Sequence, residues 1–214
     1  MIDESQFNQS VQLVHQLAEN QQYEEAAQIQ KSLCQQAEQL YGVQDPIVAW
    51  SYKSLGNFFR MSGQLKEAEK AAMHGSLMTR LMVGTNDPLY ASDLINIGWV
   101  FRDKKEFSDA RDLFHEAIRI LKFNDSIETP DGINALFSLA ICCVLLGSHA
   151  EADQARTDAK VLFHKCPEHV TAYFSGLIDL ARANNEAGLP TKFISLMEEF
   201  NIEAPPQLLR LAQK

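Results

Sequence analysis

The sequence predicts an all-α solenoid built from antiparallel helix pairs, on three observations. Residues 54–72, SLGNFFRMSGQLKEAEKAA, read as two amphipathic helices joined by a turn at Met61-Ser62-Gly63. The pattern recurs every 42 residues: Ala26, Ala68, Ala110 and Ala152 share one small position, and Gly56, Gly98 and Ala140 share another, with Val14 in the first copy. Pro46, Pro88 and Pro130 keep the same 42-residue step independently of the alanines. A helix pair of this length cannot bury its apolar face alone, so successive pairs must stack.

The first helix is expected over 4–20, with Phe7, Val11, Val14 and Leu17 at helical spacing. After the Asn20-Gln21-Gln22 turn, Tyr23–Tyr41 forms its partner, with Ala26, Ala27, Ile29 and Leu33 inward. Gly42 caps that helix, and Asp45-Pro46 opens the next, Asp as N-cap and Pro at the first helical position. The same punctuation returns as Gly84, then Asp87-Pro88, and again as Thr129-Pro130. After Phe163 the register weakens. A short linker, His164–His169, precedes a fifth pair over 168–187 and 190–200, and Pro205-Pro206 starts a last short helix. The expected organisation is a single array over 1–214, with repeats at 5–42, 46–84, 88–124, 130–164 and 168–200 and a cap at 205–214.

These positions resemble the tetratricopeptide repeat. Its large, Leu, small, large and Ala positions are filled by Tyr52, Leu55, Gly56, Phe59 and Ala68 in the second copy. The third copy has Leu94, Ile97, Gly98, Phe101 and Ala110, and the fourth Leu136, Leu139, Ala140, Cys143 and Ala152. The first is looser, with Ser10, Leu13, Val14, Leu17 and Ala26. The 42-residue length, with its Gly-x-x-Asp-Pro loop, looks like the kinesin-light-chain type of that repeat. The resemblance implies a right-handed superhelix whose first helices line a concave groove.

Composition narrows the function classes. A net charge of −9 and a pI near 5.1 argue against a nucleic-acid binder, which needs a basic face. The start, MIDESQFNQS, lacks the basic and apolar runs of a signal peptide, and no apolar stretch is long enough to span a bilayer. Cys34, Cys142, Cys143 and Cys166 show no disulfide spacing, which fits buried thiols in a reducing compartment and a cytoplasmic protein.

Chemistry-bearing motifs are sparse. No phosphate-binding glycine loop, dinucleotide fingerprint or nucleophile elbow occurs, so neither an enzyme nor a cofactor is expected. His115-Glu116 begins like a zinc-protease helix, but Arg119 stands where the second ligand belongs. His164, Cys166 and His169 are the weak metal candidates, set against a plain linker that happens to contain them.

The resemblance places Trp50, Lys53, Asn57 and Arg60 of the second copy, and Asn96, Trp99 and Arg102 of the third, on the groove wall. Asn can bond a peptide backbone, and Trp and Arg are frequent anchors of binding surfaces. Lys53, Asn57 and Asn96 also match part of the carboxylate clamp of heat-shock co-chaperones, whereas Asn134 and Ser138 replace its cations. Trp99 has a second reading, as packing between neighbouring first helices. The fourth first helix is apolar on nearly every face, so Phe137 and Ile141 either receive an apolar anchor or are covered by the C-terminal helices. The expected function is a non-catalytic scaffold or adaptor that takes a protein or peptide segment in the groove. The alternatives are a self-associating structural module and a peptide-sensing regulatory domain.

Overall fold

The computed structural model describes residues 4–184, together with residues 191, 194, 195 and 198. Every regular element among them is helical. The chain divides into two compact units, Met1–Asn124 and Asp125–Lys214, so the boundary falls between the third and fourth repeats.

The first unit holds α1 (Glu4–Glu19), α2 (Tyr23–Tyr41), α3 (Pro46–Met61), α4 (Leu65–Val83), α5 (Pro88–Asp103) and α6 (Phe107–Phe123). Each packs on the next, and α3 also touches α5. Local chemistry starts and stops them as expected. The carboxylates of Asp45 and Asp87 accept from the N–H groups of Ile47 and Leu89, both at 2.8 Å, with proline at the first helical position. Gly42 and Gly84, at φ of +84° and +87°, end α2 and α4.

The turn inside each of the first four pairs has one conformation. Gln21, Gly63, Lys105 and Gly147, spaced by 42 residues, all have positive φ. In the second copy the next N–H, of Gln64, donates back to Phe59 O at 2.8 Å, and Gln22, Glu106 and Ser148 repeat that bond. This is a Schellman closure, which satisfies carbonyls left over at the helix end.

Helices cross where side chains are small. A Cβ on Gly56 would stand 3.1 Å from Ala72 N, and one on Gly98 would stand 2.6 Å from the Phe114 ring. Ala26, Ala68 and Ala110 are fully buried at the opposite small position. Around them lie Phe7, Val14 and Leu33 in one cluster and Cys34, Leu55 and Phe59 in another. Leu13 is the exception, 44% exposed. Its counterpart Leu55 packs with Ala27 and Cys34 of the preceding α2, and no described helix stands in that place for α1.

The second unit holds α7 (Pro130–Leu145), α8 (His149–Lys165) and α9 (Val170–Asn184), with one 3-10 turn at Pro167–His169. One expectation is corrected here. The linker is shorter than His164–His169, because α8 runs through Lys165 and the fifth pair's first helix begins at Val170. That helix also packs chiefly on α7 rather than α8, unlike α3 on α2 or α5 on α4. The remainder of the fifth repeat and the cap at 205–214 lie outside the described residues.

The reason for the α7–α9 packing is Gly176. Its backbone lies so close to Phe137 that a Cβ would stand 2.2 Å from a ring carbon. Tyr173 sits edge-on to Phe137, with centroids 5.4 Å apart, and stacks on Phe163 of α8 at 4.3 Å. Burial pushes the Tyr173 phenol up to about 12. Helix α7 is apolar all round because α8 and α9 cover it.

Candidate functional site

The expected wall residues lie on α3 and α5, and most of them are joined to one another. Lys53 Nζ donates to Ser92 Oγ at 2.7 Å and pairs with Asp93 Oδ1 at 3.1 Å. One turn further along, Asn57 Nδ2 donates to Asn96 Oδ1 at 3.2 Å, and Asn96 Nδ2 donates to Ser92 O at 2.7 Å. At the C-terminal end of α3, Arg60 Nη1 donates to Asp103 Oδ2 at 2.9 Å, while its guanidinium lies 5.5 Å from the Trp99 ring centroid. Arg102 is held by the same Asp103, through Nε at 3.3 Å and Nη2 at 3.2 Å.

The contacts share a register. Residues 53 and 92, 57 and 96, and 60 and 99 are each 39 apart. Positions four, or three to four, apart on a helix lie on one face, so this is one stripe of α3 meeting one stripe of α5. The result is a polar seam between neighbouring first helices, with Trp99 as a packing member of it.

The seam changes the electrostatics expected of the wall. Lys53, Arg60 and Arg102 are not bare cations, since Asp93 and Asp103 neutralise two of the three charges. Asp93 is 5% exposed, and its Oδ2 has no hydrogen-bond partner among the described residues. A carboxylate this dry needs its lysine, because an unpaired charge in a low-dielectric site is costly. Lys53 and Asn57 are therefore occupied by α5 before any ligand arrives, which removes the ground for a carboxylate clamp.

Other groups remain open. Trp50 is 46% exposed, with its ring tilted beside His15 at 6.4 Å, and Met61 is 49% exposed next to Arg60. The Asn57 carbonyl oxygen has no partner among the described residues. These three line the α3 edge of the seam.

One pair of expected site residues is corrected, and the weak metal candidates are located. Phe137 and Ile141 are 1% and 5% exposed, because α9 lies over α7, so they cannot take an apolar anchor. His164, Cys166 and His169 do not converge: the His164 ring lies beside Phe163, Cys166 Sγ is 3.9 Å from Glu128 Oε2, and His169 faces Glu168 at 4.0 Å. Burial, with Glu128 and Glu168 nearby, pushes the Cys166 thiol up, away from the thiolate a metal would need. Among the described residues no three His, Cys, Asp or Glu side chains group as ligands. Cys142 and Cys143 are fully buried packing residues, as expected.

Asp93 is the residue that sequence reasoning missed. It stands one position before the large Leu94 of its repeat, where no groove role was assigned. The available signal was an acidic residue 40 positions after Lys53, beside the 39-residue register of the seam.

The helix pairs, their shared turn and their small-residue crossings define a TPR-like repeat fold. Comparison with solved structures agrees. Two crystal structures of the nearly identical TPR-like repeats of a protein assigned as a kinesin light chain, from Podosopora anserina, superpose at TM-scores of 0.71 and 0.68, each at 17% identity. The first, a point variant, matches over 94% of this chain and 95% of its own, the second over 99% and 97%. BtubC (BKLC) from P. vanneervenii superposes at 0.71 with 14% identity, over 92% of this chain and 82% of its own. No protein-family model and no curated protein matches the sequence. Among the described residues no helix is long and apolar enough to cross a membrane.

Proposed function

We propose that this protein is a non-catalytic interaction scaffold that takes a protein or peptide segment along the α3–α5 wall of its first unit. The observation that carries the reading is the exposed edge of the seam. Trp50 and Met61 stand nearly half in solvent beside polar groups whose positions are already set by internal bonds. Preorganised polar groups next to an exposed Trp form the kind of surface where binding energy concentrates, since little ordering remains to be done on association.

The residues divide by role. Trp50, Met61 and the free carbonyl of Asn57 contact the partner. Lys53, Arg60, Asn96 and Trp99 hold the two helices in register, and Arg102 fixes Asp103, which takes Arg60. The TPR-like fold supports an interaction role and lends no partner. The four free, buried thiols support a reducing, cytoplasmic setting.

Trp50→Ala with Met61→Ala tests the reading, because neither side chain closes the core. Partners recovered by affinity capture should be lost with the double variant while helicity and melting are kept. A second reading, self-association, is favoured by Leu13, an apolar side chain 44% exposed on α1. Light scattering distinguishes it: Leu13→Gln would abolish a concentration-dependent rise in mass.

A further inference from the structure

Two clefts open between successive second helices of the first unit, and they are the same site in two repeats. One lies between α2 and α4, of about 300 Å³, and the other between α4 and α6, of about 610 Å³. Their floors correspond at 42-residue steps: Tyr52, Leu55 and Phe59 of α3 in one, Leu94, Ile97 and Phe101 of α5 in the other.

The walls do not correspond. Where the smaller cleft has Lys31, Gln35 and Ala71, the larger has Met73, Leu77 and Leu113. Met73 and Leu77 are 52% and 42% exposed, and they lie one helical turn apart on α4. A pair of apolar residues at i and i+4 makes a ridge of the sort that a third helix packs into.

The rim changes sign. In the smaller cleft Lys70 neutralises Glu67 at 3.1 Å. Their counterparts, Asp112 and Asp109, are two carboxylates three residues apart on α6, an arrangement that repels. Among the described residues the Asp112 side chain, 66% exposed, is held only by its neighbour Arg111, and Asp109 has no partner. Among the described residues Arg80 is the single cation lining this cleft.

We propose that the α4–α6 cleft is a docking site for an amphipathic helix of a partner protein, which sets apolar side chains on Met73, Leu77 and Leu113 and a Lys or Arg against Asp109 and Asp112. Charge complementarity fixes the occupant's sign, and the apolar ridge fixes its helical spacing. Its ridge and rim lie on the second helices α4 and α6, and the α5 residues of its floor, Leu94, Ile97 and Phe101, are not those of the α3–α5 wall.

The test uses the full chain and a fluorescein-labelled amphipathic peptide of about 14 residues, leucine on one face and lysine on the other. A second peptide carries glutamate in place of lysine. Fluorescence anisotropy should show the lysine peptide binding at least about tenfold more tightly than the glutamate one, or about 1.4 kcal/mol. Met73→Lys with Leu77→Gln, which installs the smaller cleft's residues at exposed sites, should abolish binding with an unchanged melting curve. Asp109→Asn with Asp112→Asn should erase the preference for lysine. Trp50→Ala with Met61→Ala should leave peptide binding unaltered, so failure here and failure of the wall are separable. Equal binding of both peptides, no binding of either, or binding that survives the Met73/Leu77 exchange would overturn the proposal. A dimer by light scattering that this exchange dissolves would give the cleft to a second copy and overturn it equally.

Discussion

Lys53 Nζ on α3 lies 3.1 Å from Asp93 Oδ1 on α5, and that carboxylate is almost entirely out of water. The pair sits in the polar seam that joins neighbouring first helices, and it makes a residue that sequence reasoning assigned to ligand binding into one that holds the scaffold.

Lys53→Met is accordingly expected to lower stability. Removing one partner of a buried pair leaves the other charge uncompensated. A cost of about 2 kcal/mol is expected, below that of a wholly buried pair, since a quarter of the Lys53 side chain is exposed. Lys53→Met combined with Asp93→Leu should recover most of it. Urea denaturation of the three variants checks this, and a neutral single variant would mean that the pair contributes nothing.

The shared left-handed turn predicts a gain. Lys105 has φ of +68° where the second and fourth copies have glycine. A side chain there meets its own backbone, a strain on the order of 1 kcal/mol that glycine lacks. Lys105→Gly should therefore raise stability by about 0.5–1 kcal/mol, and Gly63→Lys should lower it by a similar amount. Thermal melts with opposite shifts meet this expectation; shifts of the same sign do not.

Gly176 gives a third expectation, and its sign is informative. At an exposed helix position Gly→Ala stabilises by about 1 kcal/mol. Here the new Cβ would stand 2.2 Å from the Phe137 ring, so Gly176→Ala should instead destabilise, by roughly 1–3 kcal/mol. Adding Phe137→Leu makes room and should return part of the loss. Near-ultraviolet circular dichroism of the Phe137–Tyr173–Phe163 rings reports the disturbance.

The helices and their crossings were legible in the sequence because local rules write them. Asp-Pro starts, glycine stops and alanine at a fixed step each act within a few residues. The seam was half legible. Lys53, Asn57, Arg60, Asn96, Trp99 and Arg102 were expected on one wall and lie on α3 and α5, yet which of them meet depends on the spacing between helices, which a repeat period does not state. Helix α9 was least legible. Phe137 and Gly176 are 39 residues apart, the offset of the seam, but nothing local to either reveals that an aromatic ring and a glycine will replace a lysine and a serine there.

The most direct measurement of the central claim is quantitative mass spectrometry of proteins captured by the wild type and by the Trp50→Ala, Met61→Ala double variant, both shown by melting to be folded. If the α3–α5 wall is the binding surface, proteins retained by the wild type will fall by about tenfold or more on the variant, a loss of about 1.4 kcal/mol. Equal recovery on both, or no protein retained by the wild type, would contradict it.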